Sequence, residues 1–290
     1  MVYTEEAVVF ACASDMLVGI LAKPETPLET GIVVIVGGPQ YRAGSHRQFV
    51  CLSRALASAG YAVLRFDYRG MGDSEGHARD FETVSADVCA AIDLLQACLP
   101  TVEKIVLWGL CDGASAALLY CDETKDLRIS GLCLLNPWVR SELSLARTQV
   151  RHYYTRRLLQ KEFWIKLLSG KLALGALTGF ARKLCLSTSA NRPPATVQPA
   201  FQQRMASAWL SFAGRQLLIL SSEDYTAKEF MQHASEDRAW KNALAKPRLV
   251  QHVLQDADHT FSNARSGAMV QNLTLEWLAN RNDIKPKIKL

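Results

Sequence analysis

The sequence predicts an α/β fold: a mainly parallel sheet with helices on both faces, interrupted by a helical insert. Three observations carry this reading. Short, largely apolar strand-like runs recur at 31–36 (GIVVIV), 62–66 (AVLRF), 105–108, 129–135 (ISGLCLL), 215–221 (RQLLILS) and 248–254 (RLVQHVL), the first of them continuous, as in strands buried on both faces of a parallel sheet. Helix-periodic stretches separate them through short links, as crossover connections between parallel strands require. One link, in EKIVLWGLCDGASAALLY (103–120), turns abruptly from strand to helix.

In order along the chain, 7–13 and 16–22 are β-type runs around Ser14-Asp15 and predict an N-terminal hairpin. The strand at 31–36 ends in Gly37-Gly38-Pro39-Gln40. Phe49, Leu52, Ala55, Leu56 and Ala59 then fall at helical spacing over 47–59, and Gly60 stands as the residue just past the helix end. The glycine-dense loop 67–76 follows the next strand, and Val84, Val88, Ala91, Ile92 and Leu95 share one face of a helix over 81–99. After the strand at 129–135 the alternation stops. The stretch 138–212 contains no strand pattern; 143–169 and 171–186 are helix-like, and 187–199 is a polar, proline-containing link. The organisation expected is a core of 1–137 and 213–290 with a helical cap, or lid, of 138–212. The sheet resumes at 215–221, a helix starts at Ala227, and 262–280 closes the fold ahead of a basic tail, 283–290.

A chain of 290 residues can bury one large core with an inserted subdomain, and 49% hydrophobic with 21% charged residues is an ordinary globular composition. No apolar run reaches the about 18 residues needed to cross a bilayer. The first thirteen residues lack a basic start followed by an apolar block, so a cytoplasmic protein is expected. Eight cysteines contain no C-x-x-C pair and sit within apolar runs, which predicts reduced core thiols. Neither zinc spacing nor a glycine-rich phosphate loop is present; no metal, nucleotide cofactor or nucleic-acid partner is implied. The net charge of +5 is uneven: residues 138–192 hold eleven Lys/Arg against two Glu, a net +9, which leaves −4 elsewhere.

The abrupt turn is where chemistry is expected. Gly109-Leu110-Cys111-Asp112-Gly113 has the spacing small-x-nucleophile-x-small of a nucleophile elbow, with cysteine where serine usually stands. Side chains two residues either side of the nucleophile would collide unless very small, and Gly109 and Gly113 meet that demand. The helix N-terminus beneath Cys111 favours a thiolate and a nearby oxyanion.

In an open α/β sheet, ligands bind outside the carboxyl ends of the strands. Three such ends carry chemistry in the order nucleophile, acid, base: Cys111, Asp224 and His259. His259 alone of six histidines lies between the final strand and the final helix. Asp224 would orient its imidazole, with Glu223 one position away as the rival and Asp258 too constrained to reach back. The oxyanion donors expected are the backbone N–H groups of Asp112 and Gln40, since Pro39 has none. His46 and His152 are substrate-side or surface groups, and Trp138, Arg140 and Arg147 are candidate substrate contacts at the start of the basic insert. His77, His233 and His252 are read as structural.

Assembled, these features resemble the α/β-hydrolase superfamily over nearly the whole chain. FDYRGMGDSEG (66–76) looks like the turn after the fourth strand in serine aminopeptidase-like and monoacylglycerol lipase-like hydrolases. GLCDGASA (109–116), GSHRQFV (44–50), NPWVR (136–140), HYYTRRLLQKEFWIKLLSGK (152–171), DYTAKEF (224–230) and DHTFS (258–262) look like the first of the two hydrolases associated with bacterial exosortase systems. That resemblance implies an eight-stranded sheet, a cap over the site and a Cys-Asp-His triad. It does not supply a substrate.

Cysteine changes the expected chemistry. A thiolate paired with His259 attacks esters, lactones and thioesters readily, and the acyl-enzyme would itself be a thioester open to amines and thiols. Hydrolysis and acyl transfer therefore both stand. The +9 segment suits an anionic substrate, a coenzyme A or carrier-protein arm, an acidic polysaccharide or an anionic membrane, and equally a merely solvated helix face.

Overall fold

The computed structural model describes residues 1–38, 40–140 and 200–280. The chain divides into two compact units, Met1–Val139 with Ala200–Leu290, and Arg140–Pro199. Of the expected cap, 141–199 lies outside the described residues, as does the basic tail.

The first unit is built on an eight-stranded sheet. Its strands are β1 (Tyr3–Cys12), β2 (Asp15–Pro24), β3 (Thr30–Ile35), β4 (Ala62–Asp67), β5 (Lys104–Leu110), β6 (Ile129–Leu135), β7 (Arg215–Ser221) and β8 (Leu249–Leu254). They lie in the order 1-2-4-3-5-6-7-8. The β1–β2 and β2–β4 pairs are antiparallel and all others parallel. The predicted hairpin is present with longer strands, turning at Ala13-Ser14 instead of Ser14-Asp15.

The described helices are α1 (Gln48–Ser58), α2 (Ser85–Cys98), α3 (Asp112–Thr124), α4 (Phe201–Ser211), α5 (Tyr225–Glu236) and α6 (Ala264–Ala279). Because side chains alternate across each strand, the buried runs feed two cores. Val33, Ile35, Leu107, Leu132 and Leu218 join the cluster under α2, α3, α4 and α5. Ile32, Val34, Val106, Trp108 and Leu217 join the cluster under α1 and α6. Each such burial contributes ~1.5–3 kcal/mol, against about 0–1 kcal/mol for an exposed ion pair. Apolar burial therefore dominates the stability of this unit.

Three expectations are corrected. Helix α2 starts at Ser85, not at 81, because Asp80 folds the preceding residues into a turn: its carboxylate accepts from Glu82 N and Thr83 Oγ1, both at 3.1 Å. Phe201–Ser211, expected within the insert, packs in the first unit. The Trp209 ring lies 5.8 Å from Phe230 and 5.5 Å from Trp240, and its indole N–H donates to Ala243 O at 2.9 Å. The seven described cysteines are free, but Cys51 and Cys98 are exposed on helix surfaces.

One polar group is buried to hold the loop after β4. The guanidinium of Arg69 donates to both Asp87 oxygens at 2.9 and 2.8 Å, and its backbone N–H adds a third bond at 2.8 Å. Asp87 is fully buried. Asp87→Ala strands the Arg69 charge away from water and is expected to lower unfolding free energy by ~3–5 kcal/mol, read as a fall in the urea midpoint.

Candidate active site

The sheet order reverses between β3 and β5: the chain leaves β3 toward β4 on one side and returns at β5 on the other. A crevice opens at such a switch point beyond the carboxyl ends of the strands. The loop 37–40 and Cys111 sit at those two ends. Cys111 adopts φ 59°, ψ −126°, a conformation that costs a non-glycine residue ~1–3 kcal/mol and survives only where its surroundings hold it. They do so from both sides. Cys111 N–H donates to Leu135 O at 2.8 Å, and Cys111 O accepts from Ala114 N at 3.0 Å and from Trp138 N at 3.3 Å. A Cβ at Gly109 would lie 2.4 Å from Gly113 O, and one at Gly113 would lie 2.4 Å from Ile35 O. Only glycine fits either position. Helix α3 begins at Asp112, so its N-terminal dipole points at the cysteine.

Asp224, after β7, and His259, after β8, lie side by side. His259 Nδ1 lies 2.8 Å from Asp224 Oδ2, and the imidazole is close enough to the Cys111 sulfur for the two groups to act on one another. Asp224 is buried and also caps α5, accepting from Thr226 N and Ala227 N at 3.1 Å each. A carboxylate held by two backbone donors cannot swing away from the imidazole. The bond to Asp224 and then the neighbouring Cys111 sulfur raise the His259 pKa to about 10, against burial, which works in the opposite direction. The rivals are committed elsewhere. Glu223 accepts from Ser222 Oγ at 3.2 Å, and Asp258 accepts from Ser262 N at 2.8 Å and from the Ser262 hydroxyl.

One residue of the site has no signal in the sequence beyond ending a strand. Asn136 is fully buried at the end of β6 with φ 42°, a left-handed conformation that Asn tolerates. Its Nδ2 donates to Ser221 Oγ at 2.9 Å and to His259 O at 3.0 Å, and its Oδ1 accepts from Ser221 N at 2.9 Å. Ser221 Oγ in turn donates to Asp258 O at 2.7 Å. Asn136 thus ties the ends of β6 and β7 to the backbone of the histidine loop. Asn136→Gly keeps the backbone conformation accessible while removing all three bonds. It is expected to lower kcat about 10- to 100-fold with little change in KM, because the loss falls on the geometry of the imidazole.

The remaining candidates are less tightly gathered. Asp112 lies at the start of α3, beside the loop carrying Gln40, and its carboxyl packs so closely on Gly37 that a Cβ there would stand 2.2 Å from Oδ1. Burial raises the pKa of that carboxyl, with the Gly38 N–H acting in the other direction. Gln40 accepts from Gln48 Nε2 at 3.2 Å through its side chain. With Tyr68, Arg79 and Asp80, both residues line a cavity of about 680 Å3. Trp138 O accepts from Ser115 Oγ at 2.7 Å, and Trp138 and Arg140 are partly buried. His46 is exposed and lies near Asp258, lowering its pKa behind the larger contributions from Ser262. Arg147 and His152 lie outside the described residues. Among the described residues no group of three His, Cys, Asp or Glu could hold a metal, and no helix is long and apolar enough to cross a membrane.

A sulfur on a strained turn, with a neighbouring imidazole that a buried carboxylate orients, is an arrangement able to attack an electrophilic carbonyl and to shuttle the proton. Comparisons with known proteins agree with the architecture. An esterase of Pyrococcus furiosus is 19% identical with a TM-score of 0.63, covering 95% of this chain and 91% of the esterase. Dienelactone hydrolase of Anabaena variabilis is 14% identical with a TM-score of 0.60, covering 95% and 97%. At these identities the likeness is one of fold. The human protein ABHD12B is 34% identical over 116 residues, 38% of this chain and 31% of the human protein, so the match spans about a third of that relative. The family model described as the alpha/beta hydrolase family matches residues 32–271, and with its sheet order and elbow the chain belongs to that family.

Proposed function

We infer that the chain cleaves a carboxylic ester or thioester through an acyl-cysteine intermediate, with Cys111 as nucleophile, His259 as acid and base, and Asp224 as the carboxylate that orients it. The observation that carries this reading is one imidazole held by the buried Asp224 carboxylate at 2.8 Å and neighbouring the sulfur of the strained elbow. The sulfur attacks the carbonyl carbon, a C–S bond forms, and the carbonyl π pair moves onto oxygen. The backbone N–H groups of Asp112 and Gln40 receive that oxyanion. Collapse breaks the bond to the leaving oxygen or sulfur, which takes the imidazolium proton from His259. An incoming water then gives its proton to His259, adds to the thioester and releases the acid, returning the thiolate.

Acyl transfer is the second reading, and the sulfur at the elbow supports it. A thioester acyl-enzyme reacts with an amine, alcohol or thiol in place of water, so a site that admits such an acceptor condenses two molecules. The basic segment 138–192 supports a coenzyme A or carrier-protein acyl donor, and a lid role for the insert. The motifs at 44–50, 109–116, 136–140 and 258–262 support placing the chain with the exosortase-associated hydrolases.

Intact-mass spectrometry after mixing with p-nitrophenyl esters or acyl-CoA thioesters tests the reading. An acyl adduct on Cys111 is expected in wild type and none in Cys111→Ala. Added amine or thiol diverts product at the expense of free acid if transfer operates. An adduct-free Cys111 under burst conditions rejects both readings.

A further inference from the structure

A second cavity, of about 340 Å3, lies on the α1/α6 face of the sheet, apart from the polar cavity beside Asp112. Its lining is mostly apolar and comes from five parts of the fold: Leu52 on α1, Trp108 and Leu110 on β5, Leu135 on β6, Phe261 in the histidine loop, and Gly267 on α6. Its place relative to the proposed chemistry is fixed by the chain. Leu110 immediately precedes Cys111, Thr260 at the rim immediately follows His259, and Cys111 itself packs against the apolar cluster that contains Leu110, Leu135 and Phe261.

Helix α6 is shaped around this space. Ala264, Gly267 and Ala268, at helical spacing, all line it. Gly267 lies within the helix, where glycine is less favourable than alanine. No close approach demands it: a Cβ there would meet only Phe261 O at 3.5 Å, an ordinary contact. Small residues at these positions leave room that larger ones would fill.

We propose that this groove receives the acyl chain of the substrate, a straight aliphatic chain of up to about ten carbons. The inference rests on the reading of Cys111 as the acyl-bearing residue. The size follows from the volume, which at about 30 Å3 per water-sized group holds roughly ten such groups. The chemistry follows from the lining, which offers dispersion contacts from Trp108, Leu110 and Leu135 and keeps His46 and Thr260 at the rim. Each methylene moved from water into such a lining raises kcat/KM about fourfold, the equivalent of ~0.8 kcal/mol.

Two measurements test the groove, one without turnover. In Cys111→Ala, sodium octanoate is expected to slow iodoacetamide labelling of Cys51, which lines the groove and is exposed, relative to Cys98, which is exposed on α2 across the sheet. Site-resolved mass spectrometry reads both thiols. In the enzyme with Cys111 intact, the ratio of kcat/KM for p-nitrophenyl octanoate to that for the acetate is expected to fall at least tenfold in Gly267→Leu. Ala268→Leu, on the exposed side of the same helix face, is expected to move the ratio the same way and is the variant to use if the first fails to fold. Equal labelling of Cys51 with and without octanoate overturns the proposal, and so does an octanoate-to-acetate ratio unchanged in both variants. The labelling assay decides the groove even where Cys111 carries no acyl group. Cys111-dependent turnover with an unprotected Cys51 overturns the groove alone and leaves the proposed function standing.

Discussion

Cys111→Ala is expected to lower kcat/KM on activated esters by roughly 10^4- to 10^6-fold, the range seen when the nucleophile of a triad is removed while binding and oxyanion donors remain. The substitution isolates chemistry from folding. Alanine must adopt the same φ of 59°, a cost cysteine already bears, and the hydrogen bonds of the elbow backbone run through its N–H and C=O groups and not through the thiol. The unfolding midpoint should therefore change little while the adduct disappears. Cys111→Ser separates the two readings of function. A serine there forms an oxygen ester, which amines and thiols attack more slowly than a thioester. The fraction of product diverted to an added amine should drop even where hydrolysis survives. A hydrolase by design loses overall rate with no change in a partition already close to water alone; a transferase loses its transfer product first.

How far the chain could be read before its structure follows from where each signal resides. The elbow, base and acid are local: a glycine pair at fixed spacing, and single polar residues just past buried strands, whose chain order the sequence preserves. Asp224 and Glu223 differ by one position, and what separates them is that Asp224 stands as the residue before α5 and accepts from Thr226 and Ala227 N–H. That capping pattern was present in DYTA and could have decided the matter. The same kind of signal, Asp80 ahead of Thr83, marks the late start of α2.

Other features could not be read from local spacing. Asn136 acts through contacts to Ser221 and His259, 85 and 123 residues away, and no periodicity encodes such a meeting. The 340 Å3 groove is made by side chains from four segments and by a glycine whose use is the space it leaves. The helix ending at Ser211 looked like insert because nothing in AWLSF announces that Trp209 will stack on Phe230 and Trp240.

Asp224→Asn is expected to lower kcat by roughly 10^3- to 10^4-fold, because the amide changes which imidazole nitrogen carries the proton. The carboxylate accepts from His259 Nδ1, leaving the other nitrogen to exchange a proton with sulfur. An amide NH2 turned toward Nδ1 forces that nitrogen to accept, so the proton moves to the nitrogen facing Cys111 and the base is lost. Turned the other way, the NH2 meets the Thr226 N–H and one capping bond goes. Asn and Asp serve comparably as caps, so the capping part of the effect on stability stays near 1 kcal/mol or less.

The pH dependence gives the sharper reading. The Asp224 bond is the largest cause holding the His259 pKa up at about 10, above the ordinary 6.5. The imidazolium therefore persists below pH 10 in wild type, and kcat/KM should fall on the alkaline side as pH passes through that value and His259 loses the proton it gives the leaving group. In Asp224→Asn the alkaline limb should move down toward 6.5. A folded-state pKa raised above the unfolded one stabilises the fold fully below the unfolded value and ceases to as pH passes the folded one. The wild type's advantage in Tm over the variant should accordingly be greatest below pH 6.5 and shrink as pH rises through 10. An alkaline limb at the same pH in both proteins would mean that the carboxylate does not govern this histidine, and the acid of the site would have to be sought elsewhere.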